Sequence, residues 1–525
     1  MLKSLANTIV FVCLLLALLN CNYLPGRKET INLNVVQTKT APFAGFLGIN
    51  AFEWDFLDNT NSHADEVKVK NMQSFGGFRH YLDWERIEPD KEKYTFNPAH
   101  SGGSNYDMVY QICRENGITV LTCLKNTPQW LLSTYPKEQR DGDDVPAPYG
   151  SNHTDPASYI LQAKAAFQFA ARYGNNKAVD TTLVHVDKTP RWANDQINTI
   201  KIGLGYVDYM ECGNEIEKTW KGAKAHQNPE EYAANLSAFY DGNMGKLGRD
   251  AGVKTGDPTM KVVMSGLSDP NPAFVTGMIE WCKKNRGYKP DGSVNLCFDV
   301  INYHFYNNDA TPGKDNCTVG KAPELTIAAK LADDFVTMST KYANGTDVWI
   351  TESGYDTNPG SRQRAIAIGD KSALITQADW MLRSAFLYAR HGLKKSFFYM
   401  LDDVDKKNAM SYSSAGFVDG GKKRPVANYF LQTKKLLGGY SYQQTISKDP
   451  IVDIYTMQGK RIYVIYVPDE VGRTANYDLD LHGSSSTKIY RLLPDADDMK
   501  MEVVPVKNGN LKLAATETPI FVKID

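Results

Sequence analysis

The sequence carries no surplus of charge of either sign. Its 59 lysines and arginines stand against 60 aspartates and glutamates, so no net field draws it to nucleic acid or to an anionic membrane surface, and neutral or weakly charged partners fit it better. Cysteine is scarce, eight in 525 residues, and the cysteines form no C-x-x-C pair and no metal-ligand spacing. Six of them, Cys113, Cys123, Cys212, Cys282, Cys297 and Cys317, follow residue 21. Cys282 and Cys297 are close enough in sequence to bridge in an oxidising compartment; isolated buried thiols are the expected state. A phosphate loop, a dinucleotide fingerprint, H-E-x-x-H and a G-x-S-x-G elbow are all missing, which leaves a reading with no cofactor and no metal. There is no internal repeat and no low-complexity tract. The N-terminal apolar run, residues 9–19, is too short to span a bilayer.

With Lys3 ahead of it, that run reads as an export signal over residues 1–21. Leu18-Leu19-Asn20-Cys21 resembles a bacterial lipoprotein cleavage site. The resemblance implies lipidation of Cys21 and a tie to the membrane through that lipid alone. Asn20 stands where the pattern prefers a small residue, so ordinary cleavage near Asn22 is the alternative. Either route exports the chain, to the cell surface or periplasm if lipidated and to the medium otherwise.

What the sequence does have is a regular alternation. Strand-like runs at 43–50, 77–81, 118–124, 206–211, 261–265, 299–305, 348–352 and 396–401 are interleaved with helical spacing at 106–115, 157–173, 229–248, 273–284, 325–342, 376–391 and 425–437. Eight such units predict a parallel α/β fold, a (β/α)8 TIM barrel over residues 40–438. A doubly wound open sheet would normally use fewer strands, and it gives no reason for carboxylates at the ends of both the fourth and the seventh. Residues 175–204 read as an insertion before strand four, with an extra strand at 181–186. From 439 to 525 the pattern changes to short alternating runs at 451–456, 461–467, 477–481, 488–493, 502–506, 511–514 and 519–524, a small antiparallel β-sandwich. Gln458-Gly459 and Asn508-Gly509 read as its hairpin turns, and residues 28–39 are placed to lend it a further strand.

Barrels of this class build their sites from residues at the C-terminal ends of several strands. Arg79 ends strand two, Asn214 and Glu215 end strand four, His304 and Tyr306 end strand six and Glu352 ends strand seven. By the period of two, Val348, Ile350 and Glu352 share one face, so an aliphatic layer facing the axis is predicted to lead up to the carboxylate. Glu211 and Glu217 compete with Glu215, and His80 and Arg86 with Arg79. Trp54, Trp84, Trp130 and Trp220 follow or end strands, where each serves either to stack on a ligand or to fill the core. The chain is also rich in tyrosine, with 29, more than core packing alone usually calls for.

Asn-Glu ending strand four, His-x-Tyr at strand six and an apolar run ending in Glu at strand seven resemble the retaining glycoside hydrolases of clan A, the group containing families 5, 30 and 39. The C-terminal sandwich is similar to that of families 30 and 39. The resemblance implies that Glu215 is the general acid/base, Glu352 the nucleophile, Asn214 the partner of the sugar 2-hydroxyl, and Arg79, His304 and Tyr306 the groups that orient the carboxylates. It implies a β-linked carbohydrate substrate. Ile216 replaces the proline common after Asn-Glu, and residues 398–401 replace the tryptophan that often ends strand eight; the resemblance therefore reaches the clan and not a family. The other readings are a carbohydrate-binding surface lipoprotein on a degenerate barrel and a transglycosylase, which would use the same residues with a sugar as acceptor.

Overall fold

The computed structural model describes residues 41–60, 63–311, 314–481 and 483–524. The export signal, Cys21 and the strand expected within 28–39 lie outside these residues. Eight parallel strands close into a barrel: β1 (Leu47–Asn50), β2 (Gly77–Asp83), β3 (Thr119–Lys125), β4 (Tyr209–Cys212), β5 (Lys261–Met264), β6 (Val300–His304), β7 (Asp347–Glu352) and β8 (Lys395–Phe398), with β8 pairing back onto β1. Helices separate most of them, and local chemistry starts them where they start. At Pro229–Asp241, for example, the Asn228 side chain accepts from the N–H groups of Glu230 and Glu231, Glu231 reaches back to the Asn228 N–H, and Pro229 takes the position that needs no donor.

Alternation along the strands sorts the side chains into two sets. Leu121, Tyr209, Val263, Val300, Trp349 and Phe397 pack on one another inside the barrel, while Phe78, Val120, Met210, Val262, Ile301, Val348 and Ile350 belong to the larger core beneath the helices. Gly48 and Gly77 make room for Phe397; a Cβ on Gly48 would stand 2.3 Å from its ring. Two residues further along their strands come Asn50, Arg79, Cys123, Glu211, Asn302 and Thr351, a polar layer where an ordinary barrel carries aliphatic side chains.

This sorting corrects the reading of β7. Val348 and Ile350 face the helices, not the axis, and strict alternation would send Glu352 after them. The pairing between β6 and β7 breaks: Tyr303 is opposite Ile350, but His304 is opposite Glu352. The extra residue, Thr351, keeps its inward direction and Glu352 turns inward as well, the re-aiming that a bulge beside a site provides.

Other boundaries differ for local reasons. Residues 43–46 form a helical turn (Phe43–Phe46) before β1. The extra strand expected at 181–186 is a single 3-10 turn (Thr181–Leu183), because the Asp180 side chain accepts from the N–H and hydroxyl of Thr182 and bends the chain there.

After β8 come a short ribbon, β9 (Val418–Asp419) with β10 (Lys422–Lys423), and the helix Pro425–Leu437. The C-terminal strands are β11 (Ser441–Lys448), β12 (Ile451–Met457), β13 (Lys460–Tyr466), β14 (Ala475–Asp480), β15 (Ser486–Arg491), β16 (Lys500–Pro505), β17 (Asn510–Ala515) and β18 (Ile520–Lys523). Six form one antiparallel sheet, β11-β12-β13-β18-β15-β16, and β14 pairs with β17 in a second. One face of the six-stranded sheet packs within the sandwich through Val452, Ile454, Ile465 and Val522. The other joins the barrel core through Tyr455, Val464, Tyr466 and Phe521, with Arg390 of the barrel helix Ala373–Arg390 donating to Asp453 and Tyr466. Gln458 and Gly459, at φ 49 and 81, turn β12 into β13 as expected. Asn508 and Gly509 take similar angles and turn the chain as expected, with Lys507 and Asn510 paired antiparallel across them by two backbone hydrogen bonds, before β16 and β17 part into different sheets.

Candidate active site

The site grows out of the polar layer. Arg79 is fully buried, and every guanidinium N–H has an acceptor: Nε donates to Glu211 Oε2 at 2.7 Å, one terminal nitrogen to Asn50 Oδ1 at 2.8 Å and Glu352 Oε1 at 2.9 Å, the other to Glu211 Oε1 at 3.1 Å and Asn214 Oδ1 at 2.8 Å. Asn50 is itself pinned by its amide to the carbonyls of Thr351 and Phe398, so β1, β2, β4, β7 and β8 meet at one cation. Glu211 also accepts from Gly266 N and Asn302 Nδ2. Four donors and no solvent make Glu211 the fixed counter-ion of Arg79. Glu217 turns toward the β5 loop, accepting from Ser268 and Asp269. His80 is buried against Tyr110 and Arg86 pairs with Glu53. Of the competing residues, Glu215 and Arg79 are the ones at the site.

Above this layer stand the two carboxylates. Glu352, 5% exposed, accepts from Arg79, from the Tyr81 hydroxyl and from the Tyr306 hydroxyl at 3.0 Å. Burial alone would raise its pKa; the charges of His304 and Arg79, with the hydrogen bonds from Tyr81 and Arg79, outweigh that and hold it below the ordinary glutamate value. His304 bridges the pair. Its Nδ1 lies 2.9 Å from Glu215 Oε1 and 3.7 Å from Glu352 Oε2, and its Nε2 is 3.0 Å from Thr351 Oγ1. Burial lowers the His304 pKa, but Glu352 and Glu215 prevail and raise it. Glu215, with 24% of its side chain exposed, follows Gly213 out of β4 at a φ of 50, in the left-handed region that costs a residue with a Cβ about 1 kcal/mol or more. Such backbone positions cluster at functional sites.

One ring nitrogen of His304 and one oxygen each of Glu215 and Glu352 lie within 4.8 Å of one another. That is ligand spacing for a metal, but the donor set does not suit one. Both oxygens of Glu352 are committed, and an ion there would face the Arg79 guanidinium. The spacing suits proton and group transfer between two unlike carboxyls.

The walls are aromatic. Tyr306 and Tyr412 have ring centroids 4.5 Å apart, and Tyr399 and Tyr412 are both held protonated well above the ordinary phenol value, first by burial and then by the nearby glutamates. Tyr412 has a φ of 71; the buried carboxylate of Asp356 fixes its loop by accepting from Tyr412 N, Ser414 N and the Ser361 hydroxyl. Trp54, 47% exposed, stacks on Phe52 with centroids 4.3 Å apart. It lines a cleft of about 180 Å³ with Tyr81, Asp83, Arg86 and Lys125. Trp220 is exposed on the 3-10 turn Thr219–Lys221.

One tryptophan is corrected and a second is partly covered. Trp84 is 1% exposed, T-shaped against Trp130 at 5.5 Å and bonded to Glu88; Trp130 is half-buried and spends its indole N–H on the Glu88 carbonyl. Both serve packing. Trp84→Ala is accordingly expected to cost about 3–5 kcal/mol of stability. Trp54→Ala should leave the melting temperature within a degree or two, since exposed substitutions stay within about 0.5 kcal/mol, and raise KM for any ligand of this cleft. Thermal melts beside saturation curves separate the two.

The residues that sequence reasoning missed are Tyr81, Asn50, Glu211 in its actual role, Tyr399 and Tyr412. The first three carried a signal: Tyr81 shares the parity of Arg79 on β2, Glu211 that of Tyr209 on β4, and Asn50 that of Gly48 on β1.

No protein-family model matches the sequence, and no curated protein matches it. Solved structures do match in fold. A family 39 glycoside hydrolase from the gut symbiont Bacteroides cellulosilyticus WH2 superposes with a TM-score of 0.61 at 18% identity, over 92% of this chain and 81% of that one. An α-L-arabinofuranosidase from Thermotoga maritima gives 0.52 at 12%, over 93% and 98%. A family 30 subfamily 8 xylanase from Clostridium acetobutylicum gives 0.52 at 12%, over 92% and 96%. The barrel and the appended sandwich are therefore a shared architecture.

Proposed function

We propose that this chain is a retaining glycosidase, acting on a β-linked oligo- or polysaccharide by double displacement. The observation that carries the proposal is the contrast between two carboxylates brought within 4.8 Å. Glu352 is dry, triply hydrogen-bonded and held anionic; Glu215 is open to solvent and has one histidine partner. Paired carboxyls about 5–5.5 Å apart support attack through a covalent intermediate, whereas an inverting enzyme keeps them about 6.5–9.5 Å apart to admit water.

In this mechanism Glu352 attacks the anomeric carbon while Glu215, protonated, gives its proton to the departing glycosidic oxygen. The C–O bond to the leaving group breaks as the glycosyl ester to Glu352 forms. Negative charge has then left Glu352, and Glu215 accepts a proton from a water that attacks the same carbon and frees Glu352. His304 holds the Glu215 carboxyl in place through both half-reactions. Arg79 fixes Asn214 by its carbonyl oxygen, which turns the amide N–H groups outward, as a donor to the sugar 2-hydroxyl requires. Tyr81 and Tyr306 shield the attacking carboxylate and orient its lone pairs.

The test is the anomeric configuration of the first product, followed by proton NMR before mutarotation. The substrates are aryl glycosides and polysaccharides, beginning with the xylan and arabinoside classes that the names of the structural neighbours bring forward. Retained configuration is expected; an inverted first product would overturn the double-displacement reading.

A further inference from the structure

Lys125 ends β3 with the inward parity of Leu121 and Cys123, and its neighbour in the β2–β3 register is Asp83. Opposite charges facing each other across two strands usually pair. Here they do not. Asp83 accepts from Asn126 Nδ2 at 2.7 Å and lies 3.7 Å from Arg86 Nε, while the Lys125 ammonium sits over the face of Tyr81, 4.1 Å from the ring centroid. The surrounding carboxylates are all engaged elsewhere: Glu53 by Arg86, Asp143 by Lys218 and Lys221, Glu215 by His304, and Glu352 by Arg79 and the two phenols. Among the described residues no carboxylate lies within ion-pair distance of Lys125, although, against burial, its charge helps to hold the Asp143 carboxyl below the ordinary value after Lys218 and Lys221. Its partner is the Tyr81 ring face, a cation–π contact that leaves the half-buried ammonium outside any ion pair.

Its surroundings point to a ligand. Lys125 lines the 180 Å³ cleft together with Tyr81, whose hydroxyl bonds Glu352, and Trp54, whose exposed ring rests on Phe52. The cleft has a stacking face on one side and a cation on the other. We propose that this cleft is a subsite for an anionic sugar, its ring on Trp54 and its carboxylate or sulfate ester on the Lys125 ammonium. The inference rests on the carbohydrate reading above and adds the class of sugar. Arg86 is shared between Glu53 and Asp83, so of the two cations lining the cleft Lys125 is the one outside an ion pair and the one an entering anion meets.

Calorimetric titration of the Glu215→Gln protein, in which Glu352 keeps its charge, tests this. The carboxylate arm uses a glucuronate-bearing xylo-oligosaccharide and an oligogalacturonate, the sulfate arm a sulfated galactan oligosaccharide, each beside its neutral counterpart. At least one charged ligand is expected to bind about 10- to 100-fold tighter than its counterpart, the range of a hydrogen-bonded charge, and the arm that does so identifies the anion. Adding Lys125→Met should abolish the preference and Lys125→Arg should keep it, with near-UV circular dichroism reporting that both variants fold. Equal affinity for charged and neutral ligands, or an equal loss of both in Lys125→Met, would overturn the anionic subsite and leave the glycosidase reading standing. Wild-type protein that hydrolyses none of these glycans, while the Lys125-dependent preference persists, would overturn the glycosidase reading and uphold the subsite.

Discussion

Glu352→Gln is expected to lower kcat by about four orders of magnitude or more on every substrate that the wild type turns over, because in the proposed double displacement it removes the group that forms the covalent bond. The fold should survive the change. Arg79 keeps its two bonds to Glu211, so the buried charges remain matched, and the glutamine carbonyl can still accept from Arg79. A melting temperature close to that of the wild type, together with the loss of turnover, would place Glu352 in the chemistry and not in the scaffold. Glu215→Gln should behave differently. It impairs proton delivery, so the loss grows with the basicity of the leaving group, and activated aryl glycosides should still release their phenol in a burst that stalls at the glycosyl-enzyme. Mass spectrometry of the stalled protein would show one added glycosyl unit on Glu352. Activity of Glu352→Gln within tenfold of the wild type would sink the assignment.

The alternation of strand and helix was enough to read the barrel, because burial on both faces imposes apolar runs of a definite length. The strand-end residues Arg79, Asn214, Glu215, His304, Tyr306 and Glu352 could be read for the same reason: polar groups at the end of an apolar run have little business in a core. What escaped depends on information that is not local. Parity pointed Glu352 inward only because the sequence does not reveal the bulge at Thr351, and the two misreadings of β7 cancelled. Glu211 looked like a rival to Glu215 until Arg79, 132 residues away, supplied the partner that makes it a counter-ion. Tyr412 reaches the site on a loop whose shape is set by Asp356, 56 residues earlier in the chain, and nothing in its own neighbourhood announces that. β11, reading Ser-Tyr-Gln-Gln-Thr-Ile-Ser-Lys with no fully buried residue, shows none of the alternation by which its neighbours were recognised.

The same network makes a prediction about pH. For Glu352 to be the nucleophile it must be ionised, so the acid limb of kcat/KM should fall below the ordinary glutamate range, following the lowered pKa that His304, Arg79 and Tyr81 impose against burial. Tyr81→Phe removes one donor to the anion and almost nothing else. A hydrogen bond to a charged group contributes about 1.5–3 kcal/mol, and one pKa unit is about 1.4 kcal/mol, so the acid limb should move up by about one to two units. Stability should follow with a definite sign. A carboxyl whose folded pKa is depressed stabilises the fold above its unfolded value and loses that contribution as pH falls through the folded value; in Tyr81→Phe the contribution should be smaller and its loss complete at a higher pH. His304 works in the opposite sense, its raised pKa contributing stability below the unfolded value that fades as pH climbs through the folded one. Arg79→Met carries the argument to its limit. It leaves the fully buried Glu211 and the nearly buried Glu352 without their cation, and stranding a buried charge costs about 3–5 kcal/mol, a large share of a domain's margin. Denaturant melts should show that loss at neutral pH. An acid limb that does not move in Tyr81→Phe, or an Arg79→Met protein as stable as the wild type, would mean that Glu352 is not held as an anion by this network, and the division of labour between the two glutamates would fall with it.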